Sequence, residues 1–310
     1  MGRQLGRRYV IGRVMLAGVV GMGLISVATP AQSGEPSTAP ADFDGDGDTD
    51  ISVYRMSTGK WLVRGGPTVQ WGTFEDVPVP GDYDGNGTTD FAVYRQFDGL
   101  WLVRHGVGAH WGGPASCTSA LDVGAQFRCD RPVPADYDGD GDTDIAVYRV
   151  ATGTWLVREG PTVSWGTHDD VPVPGDYDGD GADEIAVYRR HAGIWFVHGS
   201  PAVAWGTPGD IPVPGDYDGD GDTDIAVFRP SNGLWFLRGG PVTAFGASGD
   251  MPMPGDYDAD GDTDIAVYRP AKDRYDLWLI RGGPIVNWGT EFDVPLPLPS
   301  AIRIMYFGFS

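Results

Sequence analysis

The stretch Asp136-Tyr137-Asp138-Gly139-Asp140-Gly141-Asp142-Thr143-Asp144 runs directly into Ile145-Ala146-Val147-Tyr148-Arg149. The first nine residues alternate carboxylates with glycines, a pattern suited to a tight turn and not to a helix. The first four of the next five, Ile145 to Tyr148, are apolar at odd and even positions alike, which reads as a strand buried on both faces. A turn of carboxylates feeding a doubly buried strand is the unit from which the rest of the chain is built.

That unit recurs. Acidic nonamers begin at Asp42, Asp82, Asp136, Asp176, Asp216 and Asp256, with spacings of 40, 54, 40, 40 and 40 residues. Each is followed by a strand-like segment of the Ile-Ala-Val-Tyr-Arg kind, then a short glycine-containing turn. A second apolar segment carries Trp61, Trp101, Trp155, Trp195, Trp235 or Trp278, and a third ends at Trp71, Trp111, Trp165, Trp205, Phe245 or Trp288. All 11 tryptophans fall in these two slots. A proline-rich piece such as Val77-Pro78-Val79-Pro80 then leads to the next acidic turn. Four extended segments in a unit of ~40–45 residues is the period of a propeller blade. Proline cannot donate to a ladder, so the proline-rich segment belongs at a sheet edge or innermost in the blade.

The sequence therefore predicts an all-β propeller of four-stranded blades, six by count with seven as the alternative, and an acidic loop between two strands of each blade. The first unit starts at its acidic loop, preceded only by Ser37–Ala41, whereas the last ends in Asp293-Val294-Pro295-Leu296-Pro297 with no loop after it. The C-terminal segment is thus expected to supply the strand the first blade lacks, sealing the ring without a free edge.

The acidic loops carry the chemistry. Positions 1, 3, 5 and 9 are Asp42, Asp44, Asp46 and Asp50 in the first loop and Asp82, Asp84, Asn86 and Asp90 in the second. They are Asp136, Asp138, Asp140 and Asp144 in the third, and Asp176, Asp178, Asp180 and Glu184 in the fourth. In the fifth and sixth they are Asp216, Asp218, Asp220 and Asp224, and Asp256, Asp258, Asp260 and Asp264. Several hard oxygens converging from one turn suit calcium, which takes six to eight of them in an adaptable shell; zinc would want His or Cys. About six calcium ions are expected. The loops differ from an EF-hand, which ends in a bidentate acid at position 12 between two helices. Asn86 is a milder ligand than Asp, and Asp183 stands beside Glu184 as a competitor for the last position.

Charge agrees with this reading. The chain holds 43 acidic and 22 basic residues, a net charge of −21. So acidic a surface repels nucleic acid and anionic lipid and calls for cations. The first 31 residues carry Arg3, Arg7, Arg8 and Arg13 and no acid, then an apolar run from Val14 to Ala28 and small residues up to Ala31. This predicts a signal peptide over 1–31 and a secreted mature chain, with a linker over 32–41, the propeller over 42–299 and a tail over 300–310. No membrane insertion is expected after its removal.

The Asp-x-Asp-x-Asp-Gly-x-x-Asp loop with its Ile-Ala-Val-Tyr-Arg strand resembles the FG-GAP repeat, also called VCBS-type in bacterial secreted proteins. It is similar to the calcium-bearing blades of integrin α-subunit propellers. The resemblance covers Ala41 to Pro299 and implies blades with a calcium loop joining two strands, and an extracellular role in adhesion or ligand binding. The family's ligand positions fall on Asp42, Asp44, Asp46 and Asp50 and on their equivalents in the other loops.

Three further features are weighed. Arg55, Arg95, Arg149, Arg189, Arg229 and Arg269 close one strand in every unit, and Asp76, Asp170, Asp210, Asp250 and Asp293 are their expected partners. A second series is Arg64, Arg104, Arg158, His198, Arg238 and Arg281. A feature present in every repeat ordinarily serves the repeat. Cys117 and Cys129, the only cysteines, lie in the 14 extra residues of one unit and are expected to form a disulfide in an exported chain. No histidine recurs with a nucleophile. The function expected is an extracellular binding or adhesion module for a glycan or protein, not an enzyme; the alternative is a propeller-based polysaccharide hydrolase or lyase.

Overall fold

The computed structural model describes residues 39–298 apart from 75, 107, 114–129, 271–274 and 291, all within one compact unit, Pro36–Ser310. The expected signal peptide, the Cys117–Cys129 disulfide and the tail over 300–310 lie outside the described residues. Among the described residues there are 24 strands, arranged as six four-stranded antiparallel sheets, and no helix. The fold is a six-bladed β-propeller, which settles the blade number in favour of the repeat count.

Blade 4 shows the pattern, with strands Val171–Pro172, Ala186–Arg189, Ile194–Val197 and Val203–Ala204 in that order across the sheet. The short proline-bearing strand is at the sheet edge, where a missing N–H costs no ladder bond. Burial falls from that edge outward. The second strand is buried at Ala186, Val187 and Tyr188, the third alternates, and the fourth is largely exposed. Burial on both faces thus belongs to the second strand, while the outer strands show the alternation of a sheet wetted on one side.

Blade 1 is completed by the C-terminal strand Asp293–Leu296, which pairs antiparallel with Ser52–Arg55 in the register Ser52 to Leu296 and Arg55 to Asp293. The core then runs from blade to blade. Ile145 and Val147 of blade 3 pack with Val77, Tyr94 and Trp101 of blade 2. Ile185 and Val187 of blade 4 pack with Tyr148 and Trp155 of blade 3, and Ile225 and Val227 of blade 5 with Tyr188 and Trp195 of blade 4. One larger cluster joins blades 5, 6, 1 and 2 through Val213, Trp278, Val53 and Phe91.

The two tryptophan slots have separate tasks. The first indole is fully buried and donates within its own blade, as from Trp155 Nε1 to the Trp165 carbonyl at 2.9 Å. The second donates to the next blade: Trp71 to Leu102, Trp111 to Leu156, Trp165 to Phe196 and Trp205 to Phe236, at 2.9–3.0 Å. Trp288 donates to the Leu62 carbonyl at 3.2 Å and so links the last blade to the first.

Because each blade is antiparallel, its four connections fall at two ends. The acidic loop and the turn between third and fourth strands share one end, the loop face. The hairpin between second and third strands shares the other, the connector face, with the link to the next blade; Trp71 N–H donates to the Gly59 carbonyl there at 3.0 Å.

Candidate metal loops

Each acidic loop is held in shape by its own carboxylates. In the third loop Asp136 accepts from the N–H groups of Gly139 at 2.8 Å, Asp140 at 3.2 Å and Gly141 at 2.9 Å. Asp140 accepts from Asp142 N–H at 3.0 Å, and Asp144 from Tyr137 N–H at 2.9 Å. Asp176 and Asp216 repeat the first set, and Asp50, Asp90, Glu184, Asp224 and Asp264 repeat the last. One oxygen of the ninth residue is thus a latch on the loop.

The predicted ligands converge. One carboxylate oxygen from each of Asp42, Asp44 and Asp50 lies within 4.8 Å of the others, and the same holds for Asp82, Asp84 and Asp90 and for Asp136, Asp138 and Asp144. In the fourth and fifth loops the trios are Asp176, Asp178 and Asp180, and Asp216, Asp218 and Asp220. Positions 1 and 3 belong to every one of these trios, joined by 9 or by 5. Asn86 takes part in the loop's own turn as Asp140 does, accepting from Thr88 N–H at 2.9 Å and from its hydroxyl at 2.5 Å.

Electrostatics count against leaving these groups bare. Burial, followed by the charges of Asp44, Asp48 and Asp42, pushes the Asp50 carboxyl up to about 6 despite the Phe43 N–H. Burial and the charge of Asp46 do the same to Asp48. Asp90, Asp144, Asp224 and Asp264 are raised by the same causes. A cation among them would offset the repulsion. The donor set of hard oxygens at a glycine-broken turn fits calcium, with Asp42, Asp44, Asp46 and Asp50 and their counterparts as the holding residues.

The loops also touch one another, which the sequence reading did not foresee. Thr89 N–H donates to the Asp42 carbonyl, Thr143 to Asp82, Asp183 to Asp136, Thr223 to Asp176 and Thr263 to Asp216, all at 2.5–2.6 Å. Thr49 N–H donates to the Asp256 carbonyl and completes the circle. The donor is always position 8 and the acceptor always position 1 of the preceding loop. In the fourth loop glycine at position 4 makes room for the neighbour: a Cβ at Gly179, where φ is +71°, would collide with Asp222 Oδ1 of the next loop. The legible signal was the threonine at position 8 in every loop but the fourth. There Asp183, expected to compete with Glu184, turns away from its own loop and accepts from Asp136 N–H at 2.9 Å. Burial pushes its carboxyl up to about 7, aided by Asp136 and Asp176.

On the connector face the first arginine series is paired throughout. Both nitrogens of each fork meet both oxygens of a buried aspartate: Arg55 with Asp293, Arg95 with Asp76, Arg189 with Asp170, Arg229 with Asp210 and Arg269 with Asp250, at 2.7–3.1 Å. The sixth partner, Asp130 for Arg149 at 2.8–3.0 Å, was missing from the expected set because it follows the insertion directly. The 19-residue offset shared with the Asp76–Arg95 pair would have found it. These arginines build the blades. The same face carries exposed aromatic rings: Phe74, Phe97, Tyr275 and Phe292.

No family model and no curated protein matches the chain. Among solved structures it is similar to an Agrocybe aegerita lectin described for specific recognition of non-reducing terminal N-acetylglucosamine. The identity is 16% and the TM-score 0.47, over 82% of this chain and 79% of that one.

Proposed function

We propose that this chain is a secreted calcium-binding propeller that presents a binding surface to an extracellular glycan. The observation that carries the proposal is the convergence of carboxylates in the acidic loops, each group of oxygens within 4.8 Å. The loops form a circle on one face, so calcium there stiffens the ring and leaves the other face for recognition. On that connector face Phe74, Phe97, Tyr275 and Phe292 offer flat apolar rings to solvent, suited to stacking against the C–H faces of sugar rings. The test is calorimetry of chelator-stripped protein with calcium chloride, followed by a glycan array with and without calcium and a reducing-sugar release assay beside it. Heat from several sites and calcium-dependent array binding without sugar release support the proposal. Absence of calcium heat overturns it, and sugar release assigns the hydrolase or lyase alternative.

A further inference from the structure

Arg131 breaks the rules that the other blades keep. It sits in the middle of the first strand of blade 3, Asp130–Pro132, opposite Tyr148. The same register position, opposite the same aromatic slot, is Val77, Val171, Ile211, Met251 or Val294 in the other blades, all buried. An arginine has therefore replaced a core aliphatic residue, and it is only 7% exposed.

A buried guanidinium needs a carboxylate or a full set of acceptors. Arg131 has neither. Its Nε is buried with no hydrogen-bond partner. Its one hydrogen bond to a described residue runs from Nη1 to the Asp170 carbonyl at 3.5 Å, the outer limit of such a bond. Asp130 and Asp170, beside it in the fold, are each taken by both nitrogens of another arginine, Arg149 and Arg189. Burial lowers the Arg131 pKa to about 10, Arg190 pushes the same way, and Tyr148 opposes them. Arg190 is the exposed first residue of the blade 4 hairpin, on the connector face, and forms no ion pair with a described residue. Arg190 directly follows Arg189, whose fork holds Asp170, the residue Arg131 reaches, so two cations without a counter-charge among the described residues lie near each other where blades 3 and 4 meet.

We infer that Arg131 and Arg190 form an oxyanion site at this junction, which takes the carboxylate or sulfate group of an acidic sugar. A planar fork matches either group with paired hydrogen bonds, and low local polarity strengthens them. Arg131 supplies the buried, orienting contact and Arg190 the solvent-side contact. That the oxyanion arrives on a sugar rests on the glycan reading above; the oxyanion site itself does not.

The test uses the full chain with calcium present, as wild type, Arg131→Met, Arg131→Lys and Arg190→Ala. The methionine variant copies blade 6, so it is expected to fold and to melt no lower than wild type. The probes are sodium sulfate, sodium acetate, a uronic-acid trisaccharide and its carboxyl-reduced neutral counterpart. We expect the acidic trisaccharide to bind wild type at least tenfold tighter than the neutral one. Arg131→Met should abolish that preference, Arg131→Lys keep part of it, and Arg190→Ala lose several-fold. If sulfate or acetate raises the melting temperature of wild type but not of Arg131→Met while no sugar binds, the site stands and the glycan reading falls. Equal response of wild type and Arg131→Met to every anion overturns the site. Asp122 belongs to the insertion, outside the described residues, and an Asp122→Asn change that destabilises wild type but not Arg131→Met also overturns the site, by assigning the counter-charge to the chain itself.

Discussion

The Thr143 N–H donates to the Asp82 carbonyl at 2.5 Å, binding the acidic loop of blade 3 to that of blade 2. Asp82 is also a ligand candidate through its side chain, so the backbone that positions one loop's first ligand is held by the next loop. Repeated around the circle, this makes the loops a coupled set.

The first prediction follows from that coupling. Asp216→Ala should abolish metal binding in its own loop and weaken the loops beginning at Asp176 and Asp256 more than those on the far side of the ring. Extracellular calcium loops bind at ~10⁻⁴–10⁻³ M, so at ~1 mM calcium a site at the tight end contributes about 1.4 kcal/mol. Chelation should lower the melting temperature strongly. Calorimetric titration of the variant reads the rest, and losses spread evenly over all remaining sites would contradict the coupling.

In metal-free protein, pH should act in an unusual sense. Asp48 and Asp50 at about 6 and Asp183 at about 7 hold their protons more tightly folded than unfolded, where an aspartate titrates near 3.8. Between those values the native state binds more protons, so stability is greatest near the acid end and falls as pH rises. A chelated sample should melt higher at pH 5 than at pH 7.5, and calcium should reverse the order. Asp183→Thr, the residue of the other loops, should flatten the slope above pH 6.

Removing an arginine of the paired series should cost more than surface charges normally do. Arg95→Ala leaves Asp76, with its side chain wholly buried, without its cation. Thr73 still donates to it through N–H and hydroxyl at 2.9 Å, which limits the damage. The expected loss is about 3 kcal/mol, the lower end for a broken buried pair. Urea unfolding measures it, and a change below about 1 kcal/mol would mean the pair is structurally idle.

Blade 5 offers a gain. Phe245 occupies the slot whose indole elsewhere bonds the next blade, and the phenylalanine side chain has no N–H. Trp71 reaches the carbonyl 31 residues on, and the three extra residues of blade 6 move the matching acceptor to Leu279. Phe245→Trp should add this bond and raise stability by about 1 kcal/mol. A lower melting temperature would show that the pocket at Phe245 has no room for the larger ring.

Much of this was legible because the repeat reports itself six times. The loop ligands, the two tryptophan slots and the arginine–aspartate pairs are local patterns at fixed offsets, and the strand Asp293–Leu296 could be assigned from what the first unit lacks. What escaped were relations between repeats. The bond from Thr143 to Asp82 joins equivalent positions of different units, and comparing units with one another cannot show that they touch. Asp130 and Arg131 escaped because they directly follow the insertion that ends near Cys129, where the repeat spacing is interrupted. Their roles became visible once Arg131 was found opposite Tyr148.

Blade 1 has its own consequence for how the chain is made. Arg55 and Asp293 pair across 238 residues, and until the second of them exists the edge of Ser52–Arg55 has no partner. A chain emerging from the ribosome therefore carries an open β-edge until those further residues have been made, an invitation to pair with a neighbouring molecule. Closing a loop of that length costs about 5 kcal/mol in chain entropy alone. Four residues, two of them the buried Val294 and Leu296, together with one arginine fork and the Trp288 indole, have to meet that demand. Folding should accordingly be slow at its final step, and a brake on aggregation during that wait is something the cell, not the sequence, must provide.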